Sequence, residues 1–250
     1  MSRGLPQDMS MDPYQLASTA QVQLIRLGQQ QTPLLLIDHA LADLSLLLQQ
    51  AYASDYTQDG SSMYPGLRAQ LPRDYILGLL GALYPLLYRV YQIPLTLKLR
   101  PKEGYFSLLT TPQDQLQPMQ CLPHFDSAQP YFFAVLHYLS AGSHGGTGFF
   151  RHRPTGFERI TPQRQAEYFQ AAQQFFDQHG APPKRYQVAS DQQFELYQQL
   201  NFQQNRLLIY PGNVLHSSLV QTATDLQADP YIGRLTANIF LNFEAVSSDY

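Results

Sequence analysis

The first ninety or so residues show one strand-length apolar run followed by two helical patterns. Residues 33–37 are apolar and of strand length, and residues 1–30 before them are polar, which is typical of an arm or short strand. Leucines recur at helical spacing over residues 40–52 and predict an amphipathic helix. Residues 56–66 carry turn residues and predict a loop, and Pro72 then opens a second helix that extends through Leu87.

From about residue 95 the pattern changes to short apolar or aromatic segments separated by Pro and Gly. The predicted strands cover residues 95–99, 105–109, 131–139, 147–150, 206–210 and 235–243. A helical insertion of about residues 161–200 interrupts them. Thr161-Pro162 predicts the start of its first helix and Gly180 the end, and Ser190-Asp-Gln-Gln193 has the capping-box spacing of a second helix.

Together these elements predict a mainly β fold with flanking helices, of the α+β class. Residues 1–94 are expected to supply an N-terminal strand and helices that pack on a barrel. Residues 95–250 are expected to form the core, within one structural unit. A chain of 250 residues is long enough to bury one such core.

Composition narrows the class of protein. A hydrophobic content of 44% indicates a globular chain, and a net charge of −3 offers no electrostatic footprint for nucleic acid. Cys121, the one cysteine, excludes an intrachain disulfide framework and suits a reducing compartment; we interpret it as a small buried residue rather than a ligand. Without a signal-peptide pattern or a spanning apolar run, we expect a cytoplasmic protein with no membrane partner.

Candidate chemistry begins with His124-x-Asp126. In a strand, residues two apart project from the same face, so both side chains could reach one ion. Chance alone predicts roughly half of one such motif in a chain of this composition, so the match needs support from elsewhere. His216 offers it, since it follows a predicted strand and a Pro-Gly-Asn turn that could aim it inward. A histidine at a strand end is otherwise usually structural. Two imidazoles and a carboxylate suit Fe(II) and leave coordination positions open.

Arg234 lies within an otherwise apolar strand pattern, and a buried arginine is costly unless it is paired. Thr236 would share its face of the strand, so the two could bind a carboxylate. An exposed edge-strand arginine is the alternative interpretation. If Arg234 does not bind the carboxylate, Arg206 is the alternative, although it lies at the start of its predicted strand and is expected to be a surface residue. Residues 221–230 read as a loop inserted between His216 and Arg234.

The chain resembles the Fe(II)/2-oxoglutarate-dependent oxygenases, in particular their prolyl-hydroxylase-like branch, over about residues 95–245. Most closely, it is similar to an uncharacterised bacterial family within that superfamily. The resemblance to the superfamily rests on His124-x-Asp126, His137-Tyr-Leu139 with Gly145-Gly146-Thr147-Gly-Phe149, residues 206–216, and Arg234-x-Thr236. The similarity to the bacterial family rests on Tyr64-Pro-Gly66, His124-Phe-Asp126 and Gly145–Glu158.

This resemblance implies a double-stranded β-helix (jelly-roll) core with helices packed outside and the metal at its open end. It implies that His124, Asp126 and His216 bind Fe(II), and that Arg234 and Thr236 bind 2-oxoglutarate. The substrate would be a peptidyl residue, an amino acid or a small metabolite. The 18 residues from His216 to Arg234 exceed the roughly ten usual in this branch.

Two other functions fit the same residues. A cupin-like barrel could bind a ligand without catalysis, and a zinc-dependent hydrolase could use the same three ligands. Arg234-x-Thr236 separates these possibilities, because hydrolysis has no need of a buried anchor for an oxo-acid. Neither the oligomeric state nor the outcome of the oxidation follows from the sequence.

Overall fold

The computed structural model describes residues 13–60 and 62–245, which form two antiparallel β-sheets and three α-helices. The strands are β1 (Gln21–Leu27), β2 (Thr32–Asp38), β3 (Thr57–Gln58), β4 (Gly66–Gln70), β5 (Leu97–Leu109), β6 (Phe132–Tyr138), β7 (Thr147–His152), β8 (Phe194–Leu200), β9 (Leu207–Pro211), β10 (His216–Ser218) and β11 (Leu235–Ala245). The helices are α1 (Ser45–Tyr52), α2 (Arg73–Tyr91) and α3 (Gln165–His179).

Eight strands form one sheet in the order β1-β2-β9-β6-β11-β5-β4-β3, and three form a second sheet in the order β10-β7-β8. Strands from both sides of residue 94 share the large sheet, because β2 pairs with β9 and β4 pairs with β5. The division of the chain at residue 94 stays a prediction. The mainly β class with flanking helices agrees with the sequence.

Alternation along β6 separates the two faces of the large sheet. Phe133 and Val135 pack in one cluster with the apolar residues of α1 and α2. Ala134 and Leu136 pack instead with Phe149 of β7, in a second cluster that joins the two sheets. The large sheet therefore lies between a helical layer and the small sheet, as in a β-sandwich. Ala134 and Leu136 also line a cavity, which therefore lies on the face toward the small sheet.

Most predicted strands are present, with two changes. The segments at 95–99 and 105–109 form the single strand β5, which continues through Pro101. The register with β11 shifts between Phe240 and Leu241, beside that proline. A proline is tolerated there because β4 pairs only with the far end of β5, so this part of β5 is bonded on one side. The second change is that β3, β4, β8 and β10 were not predicted as strands.

The first two helices were predicted with inexact ends. The first begins at Ser45, five residues later than expected. The second starts after Pro72 as predicted and continues beyond Leu87 to Tyr91. It stops there because Gln92 adopts a left-handed conformation, with φ of 51°.

The insertion holds one helix rather than two. Helix α3 begins at Gln165 and ends before Gly180, whose φ of 83° confirms the predicted stop. The second predicted helix, starting at Ser190, is wrong. Asp191 Oδ1 accepts hydrogen bonds from the backbone N–H groups of Gln193 and Phe194, which forms a turn into β8.

No helix in the described ranges 13–60 and 62–245 has both the length and the apolar character needed to cross a membrane.

Candidate metal centre

His124, Asp126 and His216 converge in the fold. Each offers one ligand atom, and these atoms all lie within 4.8 Å of one another. His124 Nε2 lies 3.8 Å from Asp126 Oδ1, and His216 Nε2 lies 3.9 Å from Asp126 Oδ2. Neighbouring ligands at about 2.0–2.2 Å from one octahedral ion lie about 3 Å apart, so small side-chain rotations would bring these three atoms onto a single ion.

Backbone hydrogen bonds hold the three residues in place. His124 and His216 form an isolated antiparallel bridge, in which each N–H donates to the other's carbonyl at 2.9 and 2.8 Å. The Asp126 N–H donates to Gly212 O at 2.7 Å. A Cβ on Gly212 would lie 2.5 Å from the ring of Phe132, so the turn before His216 requires glycine at this contact. The His-x-Asp segment is thus aligned against the turn and β10.

His216 is oriented through its second ring nitrogen. Its Nδ1 lies 2.9 Å from Val214 O, and a carbonyl can only accept, so Nδ1 carries the hydrogen. Nε2 then keeps its lone pair and faces Asp126. Metal-binding histidines are commonly oriented in this way.

The Asp126 carboxylate is buried without full compensation. Within the described residues, its Oδ2 has no hydrogen-bond partner although the atom is inaccessible to solvent. Burial raises the pKa of Asp126, while His216 and Arg68 oppose that rise. A buried carboxylate oxygen beside a free imidazole nitrogen is the arrangement that a divalent cation would satisfy, so the donor set fits a metal.

His124 lies at the edge of the site, with 57% of its side-chain surface exposed. Desolvation by the surrounding atoms lowers its pKa to about 3, and the nearby His216 adds to this effect. His124 is then neutral at neutral pH, which is the form that binds metals.

A cavity of about 480 Å³ contains the three residues. Arg234, Thr236, Asn238 and Phe240, which are alternate positions along the last strand, also line it. The positions between them, from Leu235 to Leu241, belong to the core beneath the helices. The twofold alternation of β11 therefore brings the predicted anchor residues to the face that carries His124, Asp126 and His216.

Arg234 is held by carbonyls rather than by an acid. It is 2% exposed, its Nε donates to Gly145 O at 2.6 Å, and its Nη2 donates to Gly146 O at 3.3 Å. In the ranges 13–60 and 62–245 no carboxylate forms an ion pair with it. The guanidinium also lies over the rings of Tyr138 and Phe202. Nε and Nη2 form one edge of the group, so the edge bearing Nη1 is left for a ligand in the cavity.

The Thr236 hydroxyl is set up as a donor. Its Oγ1 accepts a hydrogen bond from Asn238 Nδ2 at 2.9 Å, and the other hydrogen of that nitrogen goes to Ser107 Oγ at 3.0 Å. The hydroxyl hydrogen of Thr236 can therefore point to a third partner. Sequence reasoning missed Asn238, although its spacing of two from Thr236 on an apolar strand marks the same face.

Arg206 and Cys121, the two remaining candidate residues, make their contacts outside the group formed by His124, Asp126 and His216. Arg206, the fallback anchor, donates from Nε and Nη2 to the two carboxylate oxygens of Asp38 at 2.7 and 3.0 Å. Its fork is thus occupied, and it is a partly buried structural residue rather than a surface one. Cys121 is buried with its Sγ 3.4 Å from Gln117 O, and it is not among the residues that converge on the metal site.

Comparison with known proteins gives distant structural likenesses and a family. The crystal structure of HygX from Streptomyces hygroscopicus, with nickel, 2-oxoglutarate and hygromycin B bound, is 12% identical with a TM-score of 0.45, covering 87% of each chain. AviO1 from Streptomyces viridochromogenes Tue57 is 10% identical with a TM-score of 0.40, covering 96% of each chain. No curated protein matches the sequence. A family described only as of unknown function, DUF6445, matches residues 18–241.

Proposed function

The chain belongs to DUF6445, a family of unknown function, and we propose that it is an Fe(II)- and 2-oxoglutarate-dependent dioxygenase with a double-stranded β-helix core. One observation carries the proposal. Three metal-type ligands line the same cavity as a buried arginine that has no acidic partner among the described residues. The first set suits a divalent cation, and the arginine suits the carboxylate of an oxo-acid.

His124, Asp126 and His216 would hold the metal. Two imidazoles and one carboxylate are a set that suits Fe(II), and three protein ligands leave three positions of an octahedron open. When bound, iron would activate dioxygen, of which one oxygen atom enters succinate as 2-oxoglutarate loses carbon dioxide and the other enters the substrate. The hydrogen bond from His216 Nδ1 to Val214 O would keep Nε2 directed at the metal ion.

Arg234 and Thr236 would bind the far carboxylate of 2-oxoglutarate. Arg234 provides the positive charge and a free edge, and Thr236 provides a hydroxyl donor. Leu136 and Tyr210 line the same cavity and would keep water from the bound oxo-acid. A volume of about 480 Å³ suits 2-oxoglutarate together with the reacting part of a small-molecule or peptide substrate.

Arg234 is also the residue that disfavours a zinc-dependent hydrolase. Such an enzyme would use the same three ligands and an activated water, and it would gain nothing from a desolvated guanidinium beside them. Burying that charge costs free energy unless an anion binds it. The buried arginine therefore favours an oxo-acid cosubstrate.

Removing the central ligand tests the proposal. Asp126→Ala should lower Fe(II) affinity by more than the roughly 10- to 100-fold that loss of an outer partner costs, and should abolish succinate formation from 2-oxoglutarate. Asp114→Ala, which removes an exposed carboxylate, is the control and should behave as wild type. Fe(II) binding is measured under anaerobic conditions, with circular dichroism to check the fold. Succinate formation that survives Asp126→Ala would rule the proposal out.

A further inference from the structure

The loop between His216 and Arg234 carries a buried carboxylate. Residues 221–230 contain Asp225, whose exposed fraction is 0%, although its neighbours at 221–224 are exposed. Burying an ionised carboxylate is costly unless hydrogen bonds or a charge compensate for it. The partners of Asp225 therefore indicate what the loop holds in place.

Asp225 binds the Gly-Gly segment before β7. Its Oδ2 accepts hydrogen bonds from Gly145 N at 3.0 Å and Gln221 N at 2.8 Å. Its Oδ1 lies 3.0 Å from His144 Nδ1. His144 Nε2 lies 3.1 Å from Ala141 O, so both ring nitrogens face groups that accept. His144 thus links the carboxylate of Asp225 to the backbone at Ala141, and the loop is fixed to the Gly-Gly segment on both sides of this carboxylate.

Gly145 connects Asp225 to Arg234. The N–H of this residue donates to Asp225, and its carbonyl accepts the 2.6 Å hydrogen bond from Arg234 Nε. A Cβ at Gly145 would lie 1.8 Å from Leu219 O, and one at Gly146 would lie 2.0 Å from Leu200 O. The segment is thus enclosed by backbone on both sides, and its position sets where the guanidinium lies.

We propose that Asp225 is a positioning residue for the oxo-acid anchor Arg234, an inference that rests on the proposed function. Asp225 acts through Gly145 and forms no ion pair with Arg234. Because the hydrogen bonds of Asp225 go to Gly145, Gln221 and His144 rather than to the guanidinium, the charge of Arg234 is left for a bound carboxylate. The loop of residues 221–230 thus brings a carboxylate back to Gly145.

Asp225→Asn tests this role with little change in volume. An amide keeps one acceptor and places an NH₂ group against the N–H groups of Gly145 and Gln221 or against His144, so the Gly-Gly segment should shift. The matched control is Asp229→Asn, which changes the same charge in the same loop. Asp229 is exposed, and its carboxylate accepts from Tyr231 N.

The measurement is the dissociation constant of 2-oxoglutarate, titrated into the Fe(II)-loaded protein under anaerobic conditions. For Asp225→Asn it should rise roughly 10-fold, the lower end of the cost of losing an outer partner, while Fe(II) affinity stays unchanged. Asp229→Asn should match wild type. Partial unfolding alone would reduce the number of sites and leave the dissociation constant of the folded fraction unchanged.

If Asp225→Asn does not fold, His144→Gln serves instead. It removes the imidazole that lies against Asp225 Oδ1 and leaves the bonds from Gly145 and Gln221, so it should weaken 2-oxoglutarate binding measurably, by less than roughly 10-fold. Wild-type affinity in the folded variant would overturn the positioning role alone. A wild-type protein that binds Fe(II) and no 2-oxoglutarate would overturn the proposed function, and this inference with it.

Discussion

Arg206 and Arg234 are both buried to a large extent, and they differ in what surrounds the guanidinium. Arg206 has a carboxylate partner on both atoms of its fork, Asp38, so its charge is already compensated. Arg234 is oriented by two carbonyls, which accept hydrogen bonds without neutralising it. Only Arg234 therefore has a charge and a free edge to offer a ligand.

Arg234→Met keeps much of the buried volume and removes the fork. A hydrogen bond to a charged group contributes on the order of 1.5–3 kcal/mol, so affinity for 2-oxoglutarate should fall roughly 10- to 150-fold. Fe(II) affinity should stay unchanged, because Arg234 is not a proposed ligand. Arg89→Met, on the exposed side of α2, is the control. Titration with 2-oxoglutarate is the measurement, and equal affinities for Arg234→Met and wild type would remove Arg234 from the site.

The sequence predicted the candidate site only where its residues share a local pattern. Spacing of two placed His124 with Asp126, and Arg234 with Thr236, and the turn before His216 indicated an inward direction. Asp225 could not be found in this way, because a carboxylate in a polar loop looks like any solvated acid. Its role depends on contacts about 80 residues away in sequence.

Hydrophobic periodicity predicted most of the helices and long strands correctly, whereas capping motifs were a less reliable guide to where helices begin. Ser190-Asp-Gln-Gln193 has the spacing of a capping box, yet the same side-chain acceptors close a turn before a strand. Residues 194–200 become β8 because pairing with β7 buries Phe194 and Leu200. That choice depends on a strand some 45 residues earlier, which no local motif reveals.

Helix α2 shows what its apolar face contributes. Leu83 is fully buried against the large sheet, whereas Leu77 of the same helix is 52% exposed. Leu83→Ala should lower the free energy of unfolding by about 2–5 kcal/mol through lost contacts and a cavity. Leu77→Ala should change it by no more than about 0.5 kcal/mol. Urea denaturation of both variants gives the comparison, and similar losses would mean that α2 does not pack as described.

The pattern of buried residues determines that the helices and the two sheets form layers, but it does not determine the order of the strands within the large sheet. The sequence predicted a mainly β body with helices outside, since alternation and helical spacing are local. It did not predict that β1 and β2 extend the large sheet beside β9, or that β4 joins its other side. These pairings join residues as far apart as Leu36 and Leu208, and local patterns carry no record of them.

Hydrogen bonds of the His137 ring connect the large sheet to helix α2 and to the loop before β9. It lies on β6 and is fully buried, with Tyr75 of α2 3.0 Å from its Nδ1 and Asn205 Oδ1 3.1 Å from its Nε2. Asn205 Oδ1 also accepts from Leu41 N, so it is an acceptor for the Nε2 hydrogen of a neutral ring. Burial lowers the pKa of His137 to about 4, only partly opposed by the bond to Asn205.

This pKa predicts loss of stability in acid. Between pH 6.5, the ordinary value for histidine, and about 4, the unfolded chain binds a proton at this residue that the folded protein does not. The stabilising contribution is therefore complete above pH 6.5 and is lost as the pH falls toward 4, by up to roughly 3 kcal/mol.

His137→Gln should flatten this part of the pH dependence. Some pH dependence should remain, because burial lowers the pKa of His152 to about 4 as well. His179→Gln, which replaces an exposed histidine, is the control for the substitution itself. Unfolding free energies measured from pH 4 to 7 decide the matter, since parallel profiles for wild type and His137→Gln would mean that His137 is not the group that responds to acid.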